Sequence, residues 1–378
     1  MSIQDKISAL EAEIAAANAR ITKAKAQTAA AERRAAEHSV RASKTETEVL
    51  KLLSSPNFPE AEKQRISIMP SFAGFYLESK FCYNLSENRI LEMLKGMKTN
   101  IPQSSLNLWM HQIMEMLRER LEPLMLEAIR QSKFTNNDAT RLLVRSRETP
   151  DDPLEYTIEY VQAVLSLEKK LCVMLYDEGT RDHMLQEEKI FKDSSIVGFV
   201  ADRAPQYPAI VKGLEEQELL RQACWFYARH YLVDAYLVDS RMEMLKKMRA
   251  VGDEYGLMVH RAVDYILDDE DAFRTFLSDG RIDMHNIAIE RCFRHIAMGR
   301  RNWLQTGSHF SAQNLAFMFG VLEICKLNKV NFGGYIEDIL TRILCGEEVD
   351  TLFLPCDYVR HFEDGTDAEV TKTSQAVA

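Results

Sequence analysis

Glycine and proline are scarce, 15 and 10 residues among 378, which excludes collagen-like and low-complexity chains. No stretch approaches the ~18 consecutive apolar residues of a membrane-spanning helix. The polar start Met1-Ser2-Ile3-Gln4-Asp5-Lys6 lacks the apolar segment of a secretory signal. The seven cysteines are scattered, odd in number, and never spaced as C-x-x-C. A disulfide framework and a zinc ribbon are therefore unsupported, and the cysteines are expected as small buried hydrophobes in a reducing compartment. G-x-x-x-x-G-K-[ST], G-x-S-x-G, H-E-x-x-H and G-x-G-x-x-G are all missing, so the common nucleotide-binding and protease signatures are out. The expectation is a soluble intracellular protein with no membrane partner.

Apolar residues make up 46% of the 378 and charged ones 28%, a composition that can bury a core across two or three domains. The net charge of −10 is unevenly spread. Residues 346–378 hold eight acids and two bases, whereas residues 281–345 hold eight bases and five acids. Phosphate can bind such a local basic segment in an acidic chain, although the total argues against a large electrostatic footprint.

Along residues 1–52, Ile7, Leu10, Ile14, Ala17, Ile21, Ala24, Thr28 and Ala31 alternate spacings of three and four. This a/d pattern predicts a long helix, either a short dimeric coiled coil that would make the chain a homo-oligomer or a solvated single helix. Ser54-Ser55-Pro56-Asn57-Phe58-Pro59 ends it by turn chemistry. Residues 66–132 read as helical: one helix from Pro70 to Tyr83, a second capped by Ser86 and running to about Met97, and a third from Gln103 or Ser104. Leu106, Trp109, Ile113, Met116 and Leu117 share a face of the third. Three helices with a short turn before the last outline a helix-turn-helix, or an ordinary helical hairpin.

The texture changes at Lys133. Phe134 to Arg147, Tyr156 to Ser166, Lys170 to Tyr176 and Ser195 to Ala201 favour strands, and Thr180 to Lys192 favours a helix. Such an order suggests an α+β fold with a mixed sheet covered by helices over residues 133–213. Residues 214–280 read as helical, as do 281–345, and the acidic tail 346–378 is expected to lose order toward its end. Asp138 and Asp202 lie on or just after strands, where a turn-forming role is the ordinary one. Asn286, Glu290 and Arg294 are spaced to share a helix face, where a surface ion pair is the ordinary role for the Glu.

His285-Asn286-Ile287-Ala288-Ile289-Glu290-Arg291-Cys292-Phe293-Arg294, followed by Met298-Gly299-Arg300-Arg301-Asn302-Trp303-Leu304-Gln305-Thr306-Gly307-Ser308, resembles the C-terminal part of the insertion-sequence sixty-six transposases. Their pattern there is N-N-x-x-E-R-x-I-R, then G-R-K-N-W-L-F-x-G-S. Likewise Ala223-Cys224-Trp225-Phe226-Tyr227-Ala228-Arg229-His230 is similar to A-C-W-A-H-A-R-R, Asn137-Asp138-Ala139-Thr140 to A-D-E-T, and Ala201-Asp202-Arg203-Ala204 to A-D-G-Y. The resemblance spans roughly residues 68–345. It implies an RNase H-like core with a helical insertion, carrying Asp138, Asp202 and Glu290 as a catalytic Asp-Asp-Glu set that binds two Mg²⁺ or Mn²⁺ ions. Oxygen ligands suit such hard cations. The implied activity is strand cleavage at transposon ends and transfer into target DNA, with Arg291, Arg294, Arg300, Arg301, Asn302 and Trp303 as DNA contacts. The alternative for that cluster is a helix face held by ion pairs, with Trp303 in the core. Other element-encoded proteins are possible partners, and the implied location is the cytoplasm, at the bacterial nucleoid. This sequence departs from the pattern at Ala139, Arg203, Tyr227 and Ile287, and the family's Cys-rich zinc-binding segment has no counterpart. These departures keep a second class open, a non-catalytic transposase-derived DNA-binding or assembly protein.

Overall fold

The fold is that of a computed structural model describing residues 69–146, 153, 155–179, 183–234, 256–303 and 305–358. The expected coiled coil over 1–52 and the end of the acidic tail lie outside the described residues. Three helices come first: α1 (Pro70–Leu77), prolonged by a π turn over Glu78–Cys82, then α2 (Glu87–Gly96) and α3 (Gln103–Arg130). Ser86 stands at the N-cap of α2 as expected, but its side chain makes no capping bond.

Three long strands follow, β1 (Phe134–Ser146), β2 (Glu155–Ser166) and β3 (Leu171–Asp177), then short β4 (Gly198–Ala201). After α4 (Gln206–Gly213) the chain forms β5 (Leu220–Ala223) and a helix over 225–234, α5. The strand order is β3-β2-β1-β4-β5, antiparallel among the first three and parallel from β1 through β4 to β5. This mixed five-stranded α+β arrangement is compatible with the RNase H-like core implied by the resemblance. β5 corrects the all-helical reading of 214–280. Leu, Arg, Gln and Ala are all good helix formers, yet Leu220–Ala223 is drawn into a strand by pairing with β4, from Gly198↔Leu220 to Ala201↔Ala223. Tertiary pairing outweighs propensity over so short a segment.

The remaining elements are α6 (Gly256–Leu267), α7 (Glu270–Arg274), α8 (Ile287–Cys292), α9 (Arg294–Trp303), α10 (His309–Leu327) and α11 (Phe332–Leu344). α10 crosses β3 and α3, and almost its whole length from Ala312 to Cys325 is buried. Its first turn is capped by Ser308, whose hydroxyl accepts from Ser311 N at 3.1 Å. α11 packs on α1 so closely that a Cβ at Gly74 would lie 2.5 Å from Gly333 O. Only a residue without a side chain permits that crossing.

The third helix packs into the main core. It runs for 28 residues, and Leu106, Met110, Ile113, Leu117 and Leu121 join the same core cluster as Val164, Val173, Phe199 and Phe319. The helical start, the sheet and residues 281–345 thus share one core. The first part of the tail also docks: Phe353 and Leu354 are buried, and Tyr335 Oη donates to Phe353 O at 2.6 Å.

Candidate active site and its arginine flank

The two aspartates, 64 residues apart in sequence, are carried by neighbouring strands. β1 and β4 pair in parallel, with Phe134 opposite Gly198 and Asn136 opposite Val200. Asp138 lies two residues beyond Asn136 on β1, and Asp202 two residues beyond Val200, just past the end of β4. Asp138 is buried within β1, and its Oδ1 accepts from Ala139 N at 2.7 Å. Asp202 leaves the end of β4, where its Oδ1 accepts from Ala204 N at 3.0 Å and shapes the turn. Thus Asp202 does form a turn, as a lone Asp would.

Glu290 arrives on α8, and the start of that helix is tied to the same strand ends. Asn286 Nδ2 donates to Asn137 O at 2.7 Å, and Asn286 N donates to Cys224 Sγ at 3.1 Å. Trp225 N donates to Met284 O at 2.9 Å, and Cys224 N to Ala201 O at 2.9 Å. Asn286 and Cys224 therefore bind the ends of β1, β4 and β5 to α8. Glu290 lies one turn further along, its N–H donating to Asn286 O at 3.2 Å.

All three carboxylates bear on one group, the half-buried phenol of Tyr227 on α5. Burial first, then the charges of Asp138, Glu290 and Asp202, and last its hydrogen bond to Glu290 push this phenol well above its ordinary range. The second nearby phenol, Tyr265, is also raised, chiefly by burial and then by Asp202.

The donor set has the chemistry a divalent cation needs. Glu290 Oε1 and Asn286 Oδ1, four residues apart, are both buried acceptors without a hydrogen-bond partner, and such atoms cost free energy unless something satisfies them. Asp138 and Asp202 supply the other oxygens. Among the described residues, however, no group of three or more His, Cys, Asp or Glu side chains stands close enough to hold an ion in the arrangement seen.

Arg203 follows Asp202 in sequence but turns to the helical insertion. Its guanidinium lies 4.8 Å from the Tyr265 ring centre, with Nε 3.4 Å from Asp269 and Nη2 3.8 Å from Asp268. Arg221 on β5 pairs with Asp269 as well. The departure at Arg203 is thus absorbed by Asp268 and Asp269.

The spacing of Asn286, Glu290 and Arg294 does not give one continuous face. α8 ends at Cys292 and α9 begins at Arg294, because Cys292 and Phe293 are both drawn into the core. Of the arginines, Arg291, Arg294 and Arg301 are exposed, and among the described residues no carboxylate lies in ion-pair reach of them. Arg300 is half-buried and donates to Arg141 O on β1. Asn302 Nδ2 donates to Asn84 O at 2.8 Å. Trp303 is half-buried against the main core, and its indole lies over Gly299 of its own helix, where a Cβ would be 2.6 Å from Nε1. Arg300, Asn302 and Trp303 therefore have structural partners, and the three exposed arginines do not. A polar cavity of about 410 Å³ opens beside Trp303, lined also by Lys80, Asn107, His111, Ser308 and Ser311. It brings together residues from α3, α9, the π turn and the start of α10, and no local sequence pattern announces it.

The Transposase IS66 family model matches residues 65–259 and 256–314. Three uncharacterised proteins of Sinorhizobium fredii are also similar. y4hP is 37% identical over 107 residues, covering 28% of this chain and 19% of that protein. y4qI is 34% identical over 85 residues, covering 22% and 16%, and y4jD is 26% identical over 86 residues, covering 23% and 17%. The chain thus spans less than a fifth of the length of the curated relatives it matches. With the family's pattern matched across the sheet, the insertion and α8, the chain belongs to the IS66 transposase family.

Proposed function

We propose that the protein is a DNA transposase that cleaves and joins strands by metal-dependent phosphoryl transfer at Asp138, Asp202 and Glu290. The observation that supports this reading is that β1, the end of β4 and α8 bring Asp138, Asp202 and Glu290 within electrostatic reach of one phenol, Tyr227. Asp138 on β1 and Asp202 just past the neighbouring β4 would hold Mg²⁺ or Mn²⁺ with Glu290. When bound, two such ions activate an attacking oxygen and stabilise the leaving oxygen of an in-line displacement. The protein's own part is to fix the carboxylates on rigid elements through Asn286 and Cys224, and to orient DNA. Water serves as nucleophile for nicking the transposon end, and the freed 3′-OH for joining to target DNA. Arg291, Arg294 and Arg301 are the arginines available to phosphate, which guanidinium groups bind bidentately. Self-association through the helix over 1–52, partner proteins of the element and residence at the nucleoid belong to the same proposal.

A second reading, a DNA-binding or assembly protein without catalysis, is favoured by Tyr227 among the carboxylates and by the lack of a three-ligand group there. One assay separates the two: nicking of transposon-end DNA with Mg²⁺ or Mn²⁺. The wild type is expected to cut and Glu290→Gln to lose cutting by orders of magnitude. Identical behaviour without cleavage would leave the second reading.

A further inference from the structure

The polar cavity of about 410 Å³ beside Trp303 has no part in the proposed strand chemistry. Its size lies within the range of about 300–1,000 Å³ typical of small-ligand clefts. Lys80 enters the lining from the π turn, and its ammonium lies 5.9 Å from the Tyr76 ring centre. Among the described residues no carboxylate is in ion-pair reach of that ammonium and no acceptor in hydrogen-bond reach. Glu87 also lines the cavity, but Asn107 engages it, Nδ2 donating to Glu87 Oε2 at 3.2 Å. Lys80 is half-buried, and a cation partly withdrawn from water without a partner carries a desolvation cost that an anion would offset. The first turn of α10 supplies Ser308 and Ser311 to the same cavity. α10 is 19 residues long, and the N-terminal N–H groups of such a helix favour negative charge.

The rest of the lining suits a larger ligand than a bare anion. His111 Nε2 meets Ser311 Oγ at 3.2 Å, which leaves its other ring nitrogen, Nδ1, buried without a hydrogen-bond partner. Glu87 Oε1 is a second buried atom without one, and such atoms are rare in folded proteins. Trp303 adds a half-buried aromatic wall. We propose that the cavity binds a nucleoside 5′-phosphate, with Lys80 and the first turn of α10 on the phosphate, Trp303 against the base, and Glu87 and His111 bonded to polar groups of the sugar or base. A bare phosphate would leave Trp303, His111 and Glu87 unused; a nucleoside would leave Lys80 unpaired. The same chemistry reaches the cavity from a free nucleotide or from an unpaired unit of a DNA strand. This assignment goes beyond strand transfer and stands without it, since none of these residues belongs to the three carboxylates.

The test is calorimetric titration of the full chain with deoxyadenosine monophosphate, deoxyadenosine and inorganic phosphate. The monophosphate is expected to bind about tenfold or more tightly than either fragment, and to quench tryptophan fluorescence strongly in wild type but weakly in Trp303→Phe. Lys80→Gln should weaken the monophosphate by about tenfold, the scale of one hydrogen bond to a charged group, and leave deoxyadenosine unchanged. Equal binding of monophosphate and deoxyadenosine by wild type, or no monophosphate binding at millimolar concentration, would overturn the proposal whether or not Lys80→Gln folds. Unchanged monophosphate affinity in a folded Lys80→Gln, checked by melting, or equal quenching in Trp303→Phe would overturn it too. Competition by a deoxyadenosine tetranucleotide separates the sources. Displacement of the monophosphate at lower concentration identifies a unit of a DNA strand, and failure to displace it identifies a free nucleotide.

Discussion

The two wings of the sheet are held by different physics. On the β2–β3 side, α3 and α10 cover the strands with Ile113, Leu117, Phe317, Phe319 and Leu322, all buried. Burying such side chains contributes about 1.5–3 kcal/mol each. On the β4–β5 side the attachment of the insertion is largely polar. Asp269 takes both Arg203 and Arg221, Trp225 Nε1 donates to Phe273 O at 2.9 Å, and Phe276 N donates to Gln222 Oε1 at 2.7 Å. Among the described residues the buried apolar cluster there is Ala223, Ala228, Ala272 and Phe273, with Trp225, Tyr265 and Ile266 packed against it. One wing supplies stability; the other places charge. The proposed site of three carboxylates lies toward the wing where directional bonds, rather than close packing, set the geometry.

That contrast breaks most sharply at Phe319, which meets Phe81 edge-on at 5.0 Å and is 1% exposed. Phe319→Ala should cost about 3–5 kcal/mol, read as a lower urea midpoint of the whole chain. A loss under 1 kcal/mol would mean the apolar wing is not the stabilising one. Asp269→Asn should cost less, about 1–3 kcal/mol, because it weakens the charged bonds of two arginines. Its signature should be local, with faster amide exchange in β5 and α7 and little change in β2 and β3. Uniform exchange changes would erase the distinction between the wings.

Acid should act on the helical layer through His111 and His295. Burial first, then Lys80 for His111 and Lys326 for His295, lowers both to about 4. The unfolded chain, titrating at about 6.5, binds the extra protons between those values. Stability is therefore full above about pH 6.5 and falls as pH drops toward about 4. His111→Gln should flatten that fall in urea titrations across this range. A slope equal to wild type would assign the acid sensitivity elsewhere.

The smallest effect on stability is expected at the exposed flank. Replacing Arg291, Arg294 and Arg301 with Gln should leave melting nearly unchanged. The salt slope of DNA binding should fall by up to about 2.7, at about 0.9 per phosphate contact. Arg300→Gln should instead lower stability, since it loses its bond to Arg141 O. The reverse pattern would place the DNA path on the buried side of α9.

Much of this architecture was legible in the sequence. The three long strands fall within a residue or two of their expected bounds, because residues that favour strands, such as Phe134, Thr135, Val144, Tyr156, Ile158, Val161, Val173 and Tyr176, recur along them between turn residues. β4 also stands where it was expected, although it starts three residues later. β5 was hidden because four helix formers pair only once β4 exists. The acids were visible as residue types on or just after strands, but that β1 and β4 are neighbours depends on a parallel pairing between segments far apart in sequence. Asn286 appeared as part of a motif, and its role as the bond between β1 and Cys224 needed coordinates. Tyr227 was visible as a departure, with nothing local to say that it would face three carboxylates. The break between α8 and α9 has no proline or glycine to mark it.

Gly299 fixes how α9 is rolled about its own axis. Residues four apart share a helix face, and the Trp303 indole fills the notch at 299 as a key fills its slot. With that face locked inward, neighbouring positions are turned through fixed angles, and Arg301 is carried to the outside. A methyl at 299 would leave every arginine in the sequence and still displace the Trp303 indole, shifting the charged edge that the proposed function assigns to phosphate.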